Sequence, residues 1–305
     1  MKIFYEGVDI TSWVRVAEAV FRDYSGGKCD SLELVMGDAG SWHRWNPQLD
    51  DKIMLTRDGY STGTLYLNAV MPEEGNYRII ATAAPSTARK RESKSFENRT
   101  VGEIMAQCAA ECGMKWKLWG IPPHTKYAYI SRRAESAAAF LSKIAEMEGA
   151  TLKVFDGTFL MISITEAQGL PALETMRLKA NQTGTVYTKN ELRKTGRLTV
   201  IAPFGSVSAE DLGAAGSHEE TETMLPAGDA VTAGRWARGL LLCANRRAEQ
   251  LTVQDKFHPG WTAMVRVDVT GDTAANGAWL LDNVCHDFVN GTSRAEFVRK
   301  VTTVR

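Results

Sequence analysis

The sequence predicts an α+β fold that is mainly β, with two antiparallel β units and a small α+β insert between them. Three observations carry this. Apolar alternation broken by Gly-containing turns fills both ends of the chain. Helical periodicity is confined to the middle and to one later stretch near residue 232. Finally, KIMLTRDGYSTGTLYLNAV (Lys52 to Val70) has an ungapped counterpart 214 positions on, RVDVTGDTAANGAWLLDNV (Arg266 to Val284). The expected divisions are 1–88 for the first β unit, 89–168 for the insert and 169–305 for the second β unit with one helix.

The start, MKIFYEGVDI, reads as a short strand with a Glu-Gly turn. SLELVMGD follows with Leu32, Leu34 and Met36 on one face. Asp58-Gly59 is a hairpin-type pair because both positions tolerate positive φ. NYRIIATA closes the unit. The polar run PSTARKRESKSFENRT reads as a solvated linker, and its cations Arg89, Lys90, Arg91 and Lys94 as a weak phosphate patch at best.

From Thr100 the period changes. Thr100 and Glu103 form a capping-box pattern, and Val101, Ile104, Met105, Cys108 and Cys112 follow at helical spacing up to Gly113. A second helix is predicted from about Ser136, with the stripe Phe140, Leu141, Ile144 and Ala145 and a stop at Gly149. TLKVFDGTFLMISI is a hairpin around Asp156-Gly157. Strands resume at Arg197 to Ala202, and GSVSAEDLGAAGSHEETETMLPAGDA reads as a long loop. A third helix is predicted from about Thr232, with Ala237, Leu241, Ala244, Ala248 and Leu251 on one stripe. Three strands finish the chain: TAMVRVDVTG, GAWLLDNV and SRAEFVRKVTTV.

Within the repeat, Thr56 matches Thr270, Asp58 matches Asp272, Gly63 matches Gly277, Leu67 matches Leu281 and Val70 matches Val284. A structural duplication follows: two similar barrels or sandwiches in one chain. Three copies of such a chain present six similar units in a ring, and closed rings are the usual product of heterologous contacts.

Charge narrows the function. Lys plus Arg and Asp plus Glu are 36 each, so the net charge is zero, which argues against a whole-chain nucleic-acid binder. The first ten residues show no secretory signal, and the longest apolar run, LLLCA from Leu240, is too short for a bilayer. Five cysteines without a CxxC pair suit reduced thiols.

Candidate sites weigh toward structure. Cys285 and His286 are neighbours on a strand, so they point to opposite faces and make a poor catalytic pair. By alternation Leu280, Asp282, Val284, His286 and Phe288 share one face. Cys108 and Cys112 have helical spacing that could offer two metal ligands, but no His lies on the same local unit and there is no second Cys pair, so they read as buried small apolar residues. His43, His124, His218, His258 and His286 show no metal spacing. Glu219, Glu220, Glu222 and Asp229 read as a solvated acidic loop. Gly26-Gly27-Lys28 lacks the rest of a phosphate loop. Trp42 and Trp45 suit a packing or subunit contact, with base or sugar stacking as the competing role. No catalytic, cofactor or metal residues are assigned, and no cofactor is expected.

Three blocks, taken together, carry a resemblance. They are NRTVGEIMAQCAAECGMKWKL, YAYISRRAESAAAFLSKIAEMEGATLKVFDGTFLMI and GAWLLDNVCHDFVNGTSRAEF. In order and spacing the chain resembles the late control D family of phage tail proteins, which includes the baseplate hub of contractile tails. It is also similar to the hub part of VgrG and Pvc-type injection-system proteins. The resemblance spans most of the chain and is most specific over 96–162 and 232–300. It implies two tube-protein-like barrels and a homotrimeric, non-enzymatic hub that joins a hexameric tail tube to a trimeric central spike. Implied partners are the tube or tube-initiator protein, the spike, baseplate wedge proteins and the tape measure protein, with DNA passing without specific binding and no membrane insertion. The implied location is a virion or tailocin baseplate assembled in the bacterial cytoplasm. The spike is expected as a separate polypeptide, because the chain stops at Arg305 after the closing hairpin. Competing readings are the hub or distal tail protein of a non-contractile tail, a cell-wall or polysaccharide hydrolase, and a glycan-binding module using its Trp residues.

Overall fold

A computed structural model describes residues 1–37, 45–73, 75–178, 183–190, 192, 194–214, 219–301 and 303–305. The chain is mainly β, as expected. Eight strands come first: β1 Lys2–Tyr5, β2 Val8–Asp9, β3 Arg15–Tyr24, β4 Ser31–Gly37, β5 Lys52–Arg57, β6 Tyr60–Ser61, β7 Leu65–Glu73 and β8 Asn76–Thr82. The turn pairs Glu6-Gly7 and Asp58-Gly59 both sit at positive φ and close the β1–β2 and β5–β6 hairpins.

The segment read as a linker is a strand. Arg91–Thr100 forms β9, which pairs along its length with β11, Lys126–Ser136. Its side chains are largely solvated, which hid it from a search for apolar alternation; only Phe96 is buried. Between them lie α1, Val101–Glu111, and β10, Lys115–Trp119. The Thr100–Glu103 capping box is present, and Gly113 follows the helix at φ +67. Ser136 caps α2, Ala137–Met147, which buries Phe140, Leu141, Ile144 and Ala145. β12, Ala150–Phe155, and β13, Thr158–Ser163, form the expected hairpin, with Asp156 and Gly157 both at positive φ. A short helix, α3, Ile164–Gly169, ends this region.

The remaining elements are β14 Thr175–Arg177, β15 Thr185–Lys189, β16 Thr195–Ala202, β17 Gly205–Glu210, β18 Glu219–Met224, α4 Ala230–Asn245, β19 Glu249–Lys256, β20 Arg266–Thr270, β21 Gly277–Asp287 and β22 Thr292–Arg299. The predicted long loop is therefore largely a sheet: β17 and β18 flank β16. The α4 stripe is also corrected. The helix stops at Asn245, so Ala248 and Leu251 lie beyond it, and Ala244 faces solvent. Its buried face is Ala233, Trp236, Ala237 and Leu241.

One large sheet runs β15-β19-β22-β21-β3-β4-β8-β7-β5-β1-β2, with β20 and β14 branching from β21. The repeat is visible in its registers. Lys52 and Ile53 pair with Tyr66 and Leu65; the residues 214 positions later, Arg266 and Val267, pair with Leu280 and Trp279. β7 carries a bulge between Leu67 and Ala69 against β8, and β21 carries one at the equivalent place, between Leu281 and Asn283, against β22. β8 then pairs with β4 as β22 pairs with β19. Each unit is thus a five-strand set: β5-β7-β8-β4-β3 and β20-β21-β22-β19-β15. Among the described residues no pairing closes either unit into a barrel. The two share a ladder, because β3 of the first unit pairs with β21 of the second.

The bulge also corrects the predicted faces of β21. An extra residue at Asp282 reverses the phase, so Trp279, Leu281 and Val284 share one core while Leu280 packs in another with Val298 and Met264. The insert packs tightly on α4. A Cβ at Gly239 would lie 2.2 Å from the Met147 carbonyl oxygen and 2.5 Å from the Gly149 nitrogen. Gly239→Ala is expected to destabilise the fold by about 1–3 kcal/mol, an overpacking cost that outweighs the helix-propensity gain, measurable by urea unfolding.

Candidate assembly surfaces and the buried junction behind them

The three parts of the chain meet over the last turn of β3. Lys153, from the middle of β12, is buried and forms ion pairs with Asp23 and Asp30, the latter at 2.8 Å. Its ammonium also donates to the Tyr24 carbonyl at 3.2 Å. Asp23 further accepts from the Thr262 hydroxyl at 2.6 Å, the Ala263 amide at 3.1 Å and the Tyr60 hydroxyl at 3.3 Å. Asp30 accepts from the Tyr24 amide at 2.8 Å. Two carboxylates face one ammonium, and burial pushes the Asp30 carboxyl up against the pull of Lys153. For Lys153, burial alone would lower its pKa; the two carboxylates outweigh that and raise it.

A second buried pair adjoins it. Arg246, just past α4, lies 2.5 Å from Asp282, the residue at the β21 bulge, and Arg247 approaches the same carboxylate at 2.9 Å. Burial would raise Asp282, but the two guanidiniums hold its carboxyl below the usual range. Ser25 bridges the parts. Its hydroxyl donates to Asp282 at 2.7 Å and accepts from Arg246 at 2.8 Å, while its carbonyl accepts from the Thr151 hydroxyl at 2.8 Å. Gly26 is required by this closeness: a Cβ there would sit 1.7 Å from the Thr151 hydroxyl oxygen. Gly26-Gly27-Lys28 is thus a turn packed against the insert.

His286 is fully buried. Its Nε2 lies 2.9 Å from the Trp261 carbonyl, which can only accept, so Nε2 carries the proton and Nδ1 accepts from the Ser293 hydroxyl at 2.8 Å. Burial holds its pKa below the usual value, and Tyr60 and Phe257 pack against the ring. Cys285 is half-buried, and burial raises its thiol pKa. Cys108 and Cys112 are buried, their thiols pushed up to about 12 and about 11. Among the described residues no three His, Cys, Asp or Glu side chains gather as a metal cluster.

The other candidates disperse. His124 lies in an exposed turn, and His258 stacks on Trp261 at 4.9 Å. His43, His218 and Trp42 lie outside the described residues. Asp229 caps α4, accepting from the Thr232 amide at 2.7 Å. Glu220 and Glu222 are solvated positions on β18. Lys90 pairs with Glu92 at 2.6 Å and Lys94 with Glu111 at 2.9 Å. Sequence reasoning missed the junction charges. The one available signal was Lys153, a cation inside the apolar strand ATLKVF.

Two surfaces suit assembly. The first is aromatic: Trp45 packs against Tyr5 and Trp13 at 5.5 and 5.9 Å, and Trp13 stays 60% exposed. The second is backbone. β15 ends the large sheet with Val186 58% exposed, and beyond Leu67 one edge of β7 has no strand partner among the described residues.

Two outcomes test the junction. Lys153→Met strands two buried carboxylates and is expected to cost about 3–5 kcal/mol in chemical denaturation, with part regained by adding Asp30→Asn. The His286 imidazole has a lowered folded pKa, so below about pH 6.5 the unfolded chain takes up a proton that the folded chain refuses. Its contribution to stability is expected to fall with acidification by up to about 1.4 kcal/mol per pH unit, and His286→Gln to remove that slope.

Comparisons with known proteins place the fold. The sequence matches no family model and no curated protein. Among solved structures, the chain is similar to a tail protein from Neisseria meningitidis, with a TM-score of 0.77 at 11% identity over 98% of this chain and 96% of that one. It is similar to the prophage MuSo2 43 kDa tail protein from Shewanella oneidensis, with a TM-score of 0.75 at 13% identity over 98% of both chains. It also resembles an Escherichia coli component of the type VI secretion system, described as structurally similar to bacteriophage T4 tail proteins gp27 and gp5. There the TM-score is 0.58 at 12% identity, over 98% of this chain and 76% of that one. At these identities the likeness is one of fold.

Proposed function

We propose that this chain is a structural tail protein, the baseplate hub of a contractile tail or related injection machine. In this reading it is a homotrimer that adapts a hexameric tube to a trimeric central spike, with each duplicated unit standing in for one tube-protein barrel. Its fold neighbours include tail proteins and a type VI secretion component.

One observation carries the reading: a contact made inside the chain is left open at the equivalent place. Residues 283–287 of β21 pair with residues 24–20 of β3. The equivalents of 283–287 in the first unit are 69–73 of β7, whose corresponding edge is unpaired among the described residues. The strand equivalent to β3 is β15, at the far end of the sheet. A second copy that sets its β15 against this β7 repeats the internal contact, with Val186 opposite Glu73 and Thr188 opposite Met71. Such a head-to-tail contact closes into a ring or grows into a filament. With two units per chain, three copies make six quasi-equivalent units, which suit a six-fold tube on one face and a three-fold spike on the other.

Pro72 tempers this edge. The Phe288 amide donates to the Ala19 carbonyl, so by alternation the His286 amide also faces β3. Pro72 occupies the equivalent place and offers no N–H, so the edge lacks one donor and resists casual pairing. The mechanism is geometric: sheet edges and loops bind tube, spike and wedge proteins, and DNA passes without specific contacts.

The test is a disulfide. In a chain carrying both Met71→Cys and Thr188→Cys, oxidation is expected to give a reducible ladder that stops at three chains. Each single variant controls for the native thiols. No ladder from a protein that is trimeric by mass would overturn the edge contact.

A further inference from the structure

We propose that the cleft between α3 and α4 binds a carboxylate-bearing peptide segment of a partner protein. The cleft holds about 450 Å³ and is complete within one chain, so the inference stands apart from the tail reading. Its polar lining is weighted toward donors. Arg235, Arg238, Lys300 and Gln168 contribute to it, and Glu148 is the acidic residue among its described lining residues. Glu148 is already engaged: it accepts from the Tyr127 hydroxyl at 2.8 Å, the Trp236 indole at 3.0 Å and Arg235 Nε at 2.8 Å.

Two donors are left over at this one cleft. Gln168 is only 2% exposed, and its amide nitrogen has no hydrogen-bond partner among the described residues. Nη2 of Arg235 is likewise buried and unpartnered. Buried donors without acceptors are uncommon and unfavourable, so two on one cleft point to an acceptor that arrives from outside. Arg238 and Lys300 are exposed and make no ion pair among the described residues, so they supply an attractive field at the rim. A carboxylate meets both needs, accepting from Gln168 and Arg235 through charge-assisted bonds. The size and the aliphatic wall of Leu242, Val301 and Val304 favour a peptide over an inorganic anion. A glutamate side chain and an apolar neighbour cover that wall, whereas phosphate leaves it wet.

The probe is a fluorescein-labelled peptide of alternating Leu and Glu, titrated into the full chain by fluorescence anisotropy, with inorganic phosphate as a second arm. Saturable peptide binding is expected. It should weaken at least tenfold in the Arg238→Glu, Lys300→Glu double variant, and also in Gln168→Leu. Gln168→Leu leaves the charge unchanged and removes the unpaired amide, so its melting temperature is expected to equal or exceed that of the parent chain. That separates a built site from general attraction to a basic surface. Absence of saturable binding, or peptide binding indifferent to Gln168→Leu, would overturn the proposal. Binding of phosphate without the peptide would overturn it too, reassigning the cleft to a small anion.

Discussion

Lys153 reaches from a buried strand of the insert to Asp23, on β3, and Asp30, just before β4. The place where it lands is where the first β unit hands its sheet to the second. A buried ion pair of this kind adds little net stability over an apolar core, because desolvation offsets most of the attraction. What it adds is position. A misplaced insert would leave unpaired charges in a dry interior, which disfavours other ways for the three parts to meet. Ser25 and the Arg246–Asp282 pair extend the same logic to the bulge of β21 and the end of α4.

That junction adjoins the β3–β21 ladder, with Asp23 itself paired to Val284. β3 belongs to the first unit but pairs with β21 of the second, so the duplicated units are already joined once, within the chain. The unpaired stretch of β7 and the terminal β15 are the same two surfaces before joining. In the proposed assembly no separate oligomerisation device is needed, because the contact between copies would repeat the internal β3–β21 contact. At the junction the buried His286 bonds Ser293 and Trp261, and Lys153 and Arg246 pair with Asp23 and Asp282.

Local chemistry was legible in the sequence, and long-range pairing was not. The Thr100–Glu103 capping box and the Asp58-Gly59 and Asp156-Gly157 turns depend on neighbours within three residues, and each forms as read. The repeat was legible because it kept its register without gaps through two strands. β9 was missed because its partner, β11, is distant in sequence and its side chains are mostly solvated, leaving no alternation to see. β17 and β18 were missed for the same reason: Gly, Ser and Glu make strands only when β16 supplies the ladder. The bulge at Asp282 shifted a correct alternation out of phase. Lys153 finds its carboxylates 130 and 123 positions away, a pairing that no local pattern encodes.

In the proposed assembly the β7 edge, open among the described residues, and β15 join copies of this chain into a closed three-membered ring. The decisive measurement is the native mass of the purified chain over a hundredfold dilution, repeated with a candidate trimeric spike protein added. A species of three chains that persists on dilution, either alone or once that protein is added, is expected. A stable dimer, or a monomer that stays monomeric with the spike, would contradict it.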